Sequence, residues 1–334
     1  MQKPEVAVCP ATSDRVDIVY PPGPDIEGLF DLLKEALGPR FINGEDKIEP
    51  ILEALPGLLK EEMNIQEIPI PSEGYMIVVG DLHGQFRNLM EILHQEGPPS
   101  AVRHYLFNGD IVDRGPSSVE CAILVLYLRH RFPEYVFINR GNHEDQGVNA
   151  QETFVKEITD RGFQHLHNTF QQCFHTLSLG KIIKAKTETY LALHGGTPLH
   201  EGDPLSIKDM NSLERNMSCA NKQDLLTQIL WNDMSDKNGN QDSQRAGWGL
   251  KVGQEVLERF LGKENLKYLI RSHTEEPHGW RLVFSAFSEA AIYLKISAQR
   301  GLEIVKVKFE EPCHEDQWVS NLSLRTSETS LTSV

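Results

Sequence analysis

Three short glycine-led clusters constrain this chain more than any other feature: Gly80-Asp81-Leu82-His83-Gly84, Gly109-Asp110-Ile111-Val112-Asp113-Arg114-Gly115 and Gly141-Asn142-His143-Glu144. Each follows an apolar run that reads as a buried strand: Met76–Val79, Tyr105–Phe107 and Tyr135–Ile138. Side chains able to ligate a cation therefore stand at strand ends, with helix-like segments after them. Strand ends of one sheet can converge on one spot. That is the geometry of a metal site, and in particular of a site for two ions.

From Tyr75 onward the pattern alternates strand and helix. Helices are expected at 84–95, 116–131, 163–177, 222–230 and 252–261. Strands are expected at 76–79, 105–107, 135–138, 189–193, 267–270, 281–286, 290–296 and 302–309. The βαβα-like first half favours parallel pairing, and the strands in close succession near the end favour an antiparallel meander. The fold class that follows is α/β, with two mixed sheets packed face to face and helices outside. Upstream, Asp25 can cap a helix over 26–37 that Gly38-Pro39 ends. Residues 45–63 carry helical spacing through Ile48, Ile51, Leu52, Leu55 and Leu59, interrupted at Pro56. Residues 1–24, with Pro10, Pro21, Pro22 and Pro24, read as a flexible arm. Residues 25–310 read as a single domain with its motif core at 75–296, and 311–334 as a polar, disordered tail. The last three residues, Thr332-Ser333-Val334, have the form of a segment that adds to a sheet edge in a PDZ-type groove.

Composition narrows the function class. With 334 residues, 40% hydrophobic and 24% charged, the chain has ample material for a soluble core. Its net charge of −15 argues against nonspecific nucleic-acid binding, which needs a basic face. The longest apolar run, Cys121–Leu128, is too short to span a bilayer, and the first twenty residues lack the apolar stretch of a secretory signal. Five cysteines scattered without CxxC spacing fit free thiols in a reducing compartment, so cytosol or nucleus is expected.

The ligand set can be collected from strand ends. Asp81 and His83, two residues apart, lie on one face of an extended chain. Asp110 ends the second strand and Asn142 the third. His194 ends the apolar strand Tyr190–Leu193, and His273 follows Leu269-Ile270-Arg271. A mixed oxygen and imidazole set suits iron, manganese or zinc better than calcium or magnesium. Six ligands with few carboxylates suit two ions sharing one Asp and a water, roughly 3.5–4 Å apart, able to clamp a phosphoryl group. Beside them stand groups of another kind. The fork of Arg114 matches phosphate oxygens. His143 can give a proton to a leaving alkoxide, with Asp113 holding its ring. His165, His167 and His175 stand alone and take no role.

These residues resemble the metal-dependent Ser/Thr phosphatases of the phosphoprotein phosphatase family. GDLHG at 80–84, GDIVDRG at 109–115 and RGNHE at 140–144 are similar to its three motifs in order and spacing. Leu193-His194-Gly195-Gly196 and Arg271-Ser272-His273 are similar to its later histidine motifs, and Leu230-Trp231-Asn232-Asp233 to its tryptophan segment. The similarity covers roughly residues 45–310. It implies a calcineurin-like metallophosphoesterase fold and hydrolysis of phosphoSer and phosphoThr by a hydroxide bridging two metal ions. Asp81, His83 and Asp110 would hold the first ion; Asp110, Asn142, His194 and His273 the second. Arg114 would bind phosphate, and Arg245, in Gln244-Arg245-Ala246-Gly247, is the nearest match to a second phosphate arginine. His143, supported by Asp113, would be the general acid. Phosphoproteins would be the substrates, a regulatory protein a possible partner, and nucleic acid and membrane would have no part. The resemblance is greatest to branches that carry tetratricopeptide or EF-hand modules, yet neither module's sequence pattern is visible.

One departure stands out. Where the family reads Ser-Ala-Pro-Asn-Tyr, this chain reads Ser285-Ala286-Phe287-Ser288-Glu289, and the stretch after His273 is short. The tyrosine that would line the cleft is absent. The favoured reading is an active phosphatase with altered substrate or toxin sensitivity. One alternative is a divergent, inactive phosphatase that serves in binding or regulation. The other is a hydrolase of a small phosphoester or dinucleotide polyphosphate.

Overall fold

A strand covered on both faces must be apolar throughout, whereas one with a single covered face alternates. The strands before the first two clusters belong to the first kind. The computed structural model describes residues 45–186, 188–222, 224–235, 237–274, 292–297 and 301–306. Its strands are β1 (Ile65–Pro69), β2 (Tyr75–Val79), β3 (Arg103–Phe107), β4 (Val136–Ile138), β5 (Gly180–Lys184), β6 (Thr189–Leu193), β7 (Leu199–His200), β8 (Asp203–Pro204), β9 (Asp233–Met234), β10 (Gln241–Asp242), β11 (Leu250–Val252), β12 (Tyr268–Ile270), β13 (Ile292–Ser297) and β14 (Gly301–Lys306). Its α-helices are α1 (Glu45–Leu59), α2 (Phe86–Glu96), α3 (Ser118–Arg131), α4 (Gln146–Asn149), α5 (Phe154–Asp160), α6 (His167–Thr176), α7 (Ile207–Met210), α8 (Leu225–Trp231) and α9 (Gln254–Lys263).

Two mixed sheets form the centre. The first runs β14-β13-β2-β3-β4, with β2, β3 and β4 parallel and β13 antiparallel to both β2 and β14. The second runs β1-β5-β6-β12, parallel at its two outer pairs and antiparallel between β5 and β6. Alternate residues of each strand face the other sheet. Met76, Val78, Leu106, Phe137 and Leu294 meet Ile68, Ile183, Tyr190, Ala192 and Ile270 in one buried cluster. The opposite face of the first sheet, Ile77, Val79, Tyr105, Phe107 and Ile138, packs under helices through Leu55, Leu93, Leu124, Phe154 and Phe174. The second sheet does the same with Leu191, Leu193 and Leu269 against Ile229, Leu230 and Phe260. The layers are therefore helix, sheet, sheet, helix, the two face-to-face mixed sheets with helices outside that the sequence predicts.

The elements expected between 76 and 270 are found, with informative differences, while β1, β5, the short strands β7–β11 and the helices α4, α5 and α7 are not among those expected. α1 runs through Pro50 and Pro56 to Leu59, where an interruption at Pro56 was expected. The stripe Leu52, Leu55 and Leu59 is buried, and that burial outweighs the hydrogen bond each proline removes. The expected helix over 163–177 is a 3-10 turn, Gln164–Leu166, followed by α6. The expected helix over 26–37, the expected strand 281–286, the arm, the tail and the departure at 285–289 lie outside the described residues. Among those described, no helix is long and apolar enough to cross a membrane.

A buried ion cluster joins the layers. The carboxylate of Glu62, just after α1, accepts from Arg129 Nη2 of α3 (2.5 Å), Lys181 Nζ of β5 (2.5 Å) and Ser178 Oγ (2.6 Å).

Candidate metal centre

The parallel strands deliver their C-terminal ends to one side, and the polar clusters occupy those ends. Backbone contact between clusters is close enough to require glycine. Gly109 takes φ 86, and a Cβ on it would lie 2.5 Å from the Gly141 nitrogen. A Cβ on Gly141 would lie 2.3 Å from both the backbone nitrogen and Oδ1 of Asp110. Leu82 and His83 donate their N–H groups to the Asp110 carbonyl at 2.8 Å.

All six expected ligands are brought together, and all are buried. Asp110 is central. Its Oδ2 lies 3.5 Å from His83 Nε2 and 3.2 Å from His194 Nε2, while Oδ1 accepts the N–H of His143 at 3.0 Å. Asn142 Oδ1 lies 3.0 Å from His194 Nε2 and 2.7 Å from His273 Nδ1. Asp81 accepts the His273 N–H at 3.2 Å, and its Oδ1 is 3.7 Å from His194. Two histidines are oriented by backbone carbonyls: His83 Nδ1 is 3.0 Å from Val112 O, and His194 Nδ1 is 2.9 Å from Asn108 O. Donation of Nδ1–H to a carbonyl leaves Nε2 with its lone pair toward the centre, as a metal-ligating histidine requires.

The donor set fits cations. Ligand atoms of His83, Asp110 and His143, and of Asp110, His194 and His273, lie within 4.8 Å of one another, so Asp110 belongs to both groups. Buried Asn142 Nδ2 and His273 Nε2 have no hydrogen-bond partner, the condition in which a buried polar group calls for an ion or water. Burial, then the neighbouring Asp110 charge, pushes the Asp81 carboxyl up to about 7. Burial holds His83 down at about 3, hence in the neutral form that ligates a metal. At His194 burial works against the proton, but Asp110 outweighs it and raises the ring to about 9. A proton on His194 and a metal ion are thus alternative ways to compensate the same two carboxylates.

His143 lies near enough to His83 and Asp110 to join one of these groups, but its ring is tied to a further carboxylate. Its Nδ1 is 2.7 Å from Asp113 Oδ2. Asp113 is held in turn by the N–H groups of Thr153 (3.1 Å) and Phe154 (2.8 Å), at the start of α5. Burial would lower the pKa of His143, but the carboxylates of Asp110 and Asp113 overcome it and raise the ring above its ordinary value. His143 Nε2, the position for a mobile proton, faces Arg114 Nη2 at 3.3 Å. The Arg114 side chain is exposed.

Arg245 reaches the site's edge with its guanidinium committed to protein. Nε donates to Asp233 Oδ2 (3.1 Å) and Nη2 to the His273 carbonyl (2.9 Å). Asp233 also accepts from Arg271 Nη2 (3.0 Å) and Thr274 Oγ1 (2.7 Å).

Several supporting residues were not singled out by sequence reasoning. Glu144 accepts the N–H groups of Asp110, Ile111 and Gly141 at 2.8, 2.8 and 2.9 Å and so sets the 109–112 loop. It stands inside the third cluster, which was the available signal. Asn108 Nδ2 donates to Leu193 O (2.8 Å) and Ser272 Oγ (2.9 Å), and Asn139 Nδ2 to Asn108 Oδ1 (2.7 Å). These two asparagines stitch the strand ends of both sheets together beneath the ligands.

Residues 75–277 match the family model described as calcineurin-like phosphoesterase. Serine/threonine-protein phosphatase T of Schizosaccharomyces pombe is 32% identical over 281 residues, covering 82% of this chain and 58% of that protein. Serine/threonine-protein phosphatase 5 of Homo sapiens is 32% identical over 232 residues, covering 70% of this chain and 45% of that protein. The chain spans about half the length of the curated relatives it matches. Among solved structures, a protein serine/threonine phosphatase from Saccharomyces cerevisiae superposes with a TM-score of 0.76 at 26% identity, covering 86% of this chain and 97% of that one.

Proposed function

The chain belongs to the calcineurin-like phosphoesterase family, and from that premise we propose that it is a protein serine/threonine phosphatase, hydrolysing phosphoSer and phosphoThr monoesters of proteins. The observation that carries this reading is the placing of the Asp113–His143 pair and Arg114 beside an Asp110 that serves two ligand groups. Asp81, His83 and Asp110 would hold one ion, and Asp110, Asn142, His194 and His273 another, with manganese, iron or zinc suited to the set. Bound there, such ions supply Lewis acidity to the phosphoryl oxygens and lower the pKa of water at the site.

The chain's own residues do the rest. Arg114, exposed and beside the His143 ring, grips phosphate oxygens with its fork. His143, whose hold on its proton Asp110 and Asp113 strengthen, gives its Nε2 proton to the serine or threonine oxygen as that oxygen leaves. Asp113 keeps the ring in the donating orientation, itself fixed by two backbone N–H groups. Arg245 acts through its neighbours: with Asp233 it holds the His273 peptide in place. The convergence of all six ligands and the intact proton donor support catalysis over the binding-protein alternative.

The test is phosphopeptide turnover by metal-supplemented protein, wild type against His143→Ala and Asp110→Asn. We expect His143→Ala to keep its metal and lose about 10²–10⁴-fold in kcat, and Asp110→Asn to lose both metal and turnover. Turnover that survives both substitutions would sink the assignment. Hydrolysis of dinucleotide polyphosphates without phosphopeptides would transfer it to small phosphoesters.

A further inference from the structure

One aromatic stack at the centre's edge has no part in the chemistry above. Trp231, the last residue of α8, stands edge-on to the His273 imidazole, with centroids 5.5 Å apart and planes at 82°. Trp248 stacks on Trp231 at 5.5 Å and 29°. Lys222 Nζ lies 5.9 Å from the Trp248 ring centroid and donates to Ala246 O at 2.5 Å. Both tryptophans are half-buried.

The segment that carries Trp248 is fastened to its surroundings. Gly249 donates its N–H to Lys222 O at 3.0 Å, and Leu250 donates its own to Asn232 Oδ1 at 2.7 Å. Gly249 takes φ 68, and a Cβ there would come within 2.8 Å of the Trp231 carbonyl. Only glycine lets the segment lie this close. The same segment carries Arg245, which grips the His273 carbonyl. Residues 245–249 therefore hold His273 twice: its peptide through Arg245, and its ring through Trp231 with Trp248 behind.

His273 needs such holding. It sits at φ 71, a conformation that side chains rarely adopt, and a ligand ring must be aimed within narrow limits. An edge-to-face aromatic contact fixes ring orientation. Second-tier contacts of this kind tune metal sites through the ligands they orient.

We infer that Trp248 is a positioning residue for one of the two metal sites. By seating Trp231 it sets the angle of the His273 ring, and so the affinity of the site formed by Asp110, Asn142, His194 and His273. The site formed by Asp81, His83 and Asp110 meets His273 through its peptide N–H, which Arg245 steadies from the carbonyl side, and not through the ring that Trp231 and Trp248 hold. The inference rests on the two-metal reading of the centre.

The test titrates Co²⁺ into the metal-free full chain, in wild type, Trp248→Ala, Trp248→Leu and Trp248→Phe. Bound ion is counted by equilibrium dialysis, and visible absorption reports ligand geometry. Wild type is expected to take two ions. Trp248→Ala should keep one at the wild-type affinity and bind the other about 10–100-fold more weakly, with altered absorption for that ion. Trp248→Phe should restore most of the loss. Trp248→Leu, apolar enough to stay packed but without a planar face, should behave as Trp248→Ala and decides the matter should the alanine variant unfold. Two unchanged affinities, or equal weakening of both ions, would overturn the inference. A wild-type chain that takes up fewer than two ions would instead remove the two-metal reading beneath it.

Discussion

His83, Asp110, Asp113, Arg114 and His273 all take positive φ, five of the eight non-glycine residues that do so among those described. Each such conformation costs on the order of 1–3 kcal/mol, so the surrounding loops must be held firmly. Glu144 and the glycines do that. Gly141 is the sharpest case, because a Cβ there would strike Asp110 in both backbone and carboxylate. We expect Gly141→Ala to lower stability by about 1–3 kcal/mol and to abolish metal uptake, read by thermal unfolding and by metal analysis. Full uptake in the variant would contradict this account of the loop. The six candidate ligands were legible in the sequence because each stands at or just past an apolar strand, where periodicity is a strong signal. Asn108, Asn139 and Trp248 were not. Their roles depend on what the second sheet, or a turn far along the chain, brings within reach, and no local pattern encodes that.

The elements read from sequence were those whose own residues declare them. β2 (YMIVV), the Tyr105–Phe107 end of β3 and β6 (TYLAL) are apolar runs, and α2 and α3 follow β2 and β3. β1 (IQEIP) and β5 (GKIIK) passed unnoticed because charged and polar residues share them with isoleucine. In β5 the charge is buried on purpose: Lys181 meets Glu62, fastening β5 to the end of α1 and to α3. That cluster sets an expected pH dependence. Burial works to raise the Glu62 carboxyl, but Lys181 and Arg129 overcome it and hold it down at about 2. Because the folded pKa lies below the ordinary 4.5, the stabilisation is complete above about 4.5 and drains away as pH falls toward about 2. Glu62→Gln leaves two cations without their anion and should cost about 3–5 kcal/mol at pH 7. Urea unfolding across pH 2–7 should show the wild-type and variant curves converging at the acid end. A gap that stays constant with pH would refute it.

At the scale of the molecule, the centre is where the two sheets are tied by function as well as by packing. The candidate ligands come from the ends of β2, β3 and β4 on one side and of β6 and β12 on the other. A bound ion therefore stabilises the pairing of the sheets, by about 2.7 kcal/mol for a site filled at a hundredfold excess over its Kd. Chelation should lower the unfolding temperature by several degrees, and manganese or zinc should restore it. An unfolding temperature indifferent to both would argue against the centre described.

The strand order has one more consequence, which concerns time. β2 lies between β3, its near neighbour in sequence, and β13, which pairs with it through Val79 and Tyr293. Asp81 and His273 are 192 residues apart. At roughly 5–20 residues per second of synthesis, about 10–40 seconds separate the emergence of the first ligand from that of the last. Throughout that interval β2 waits with one edge bare beside half a charged site. The newborn chain is at its most adhesive then, and it is in those seconds, rather than in the finished protein, that a chaperone would find the most to hold.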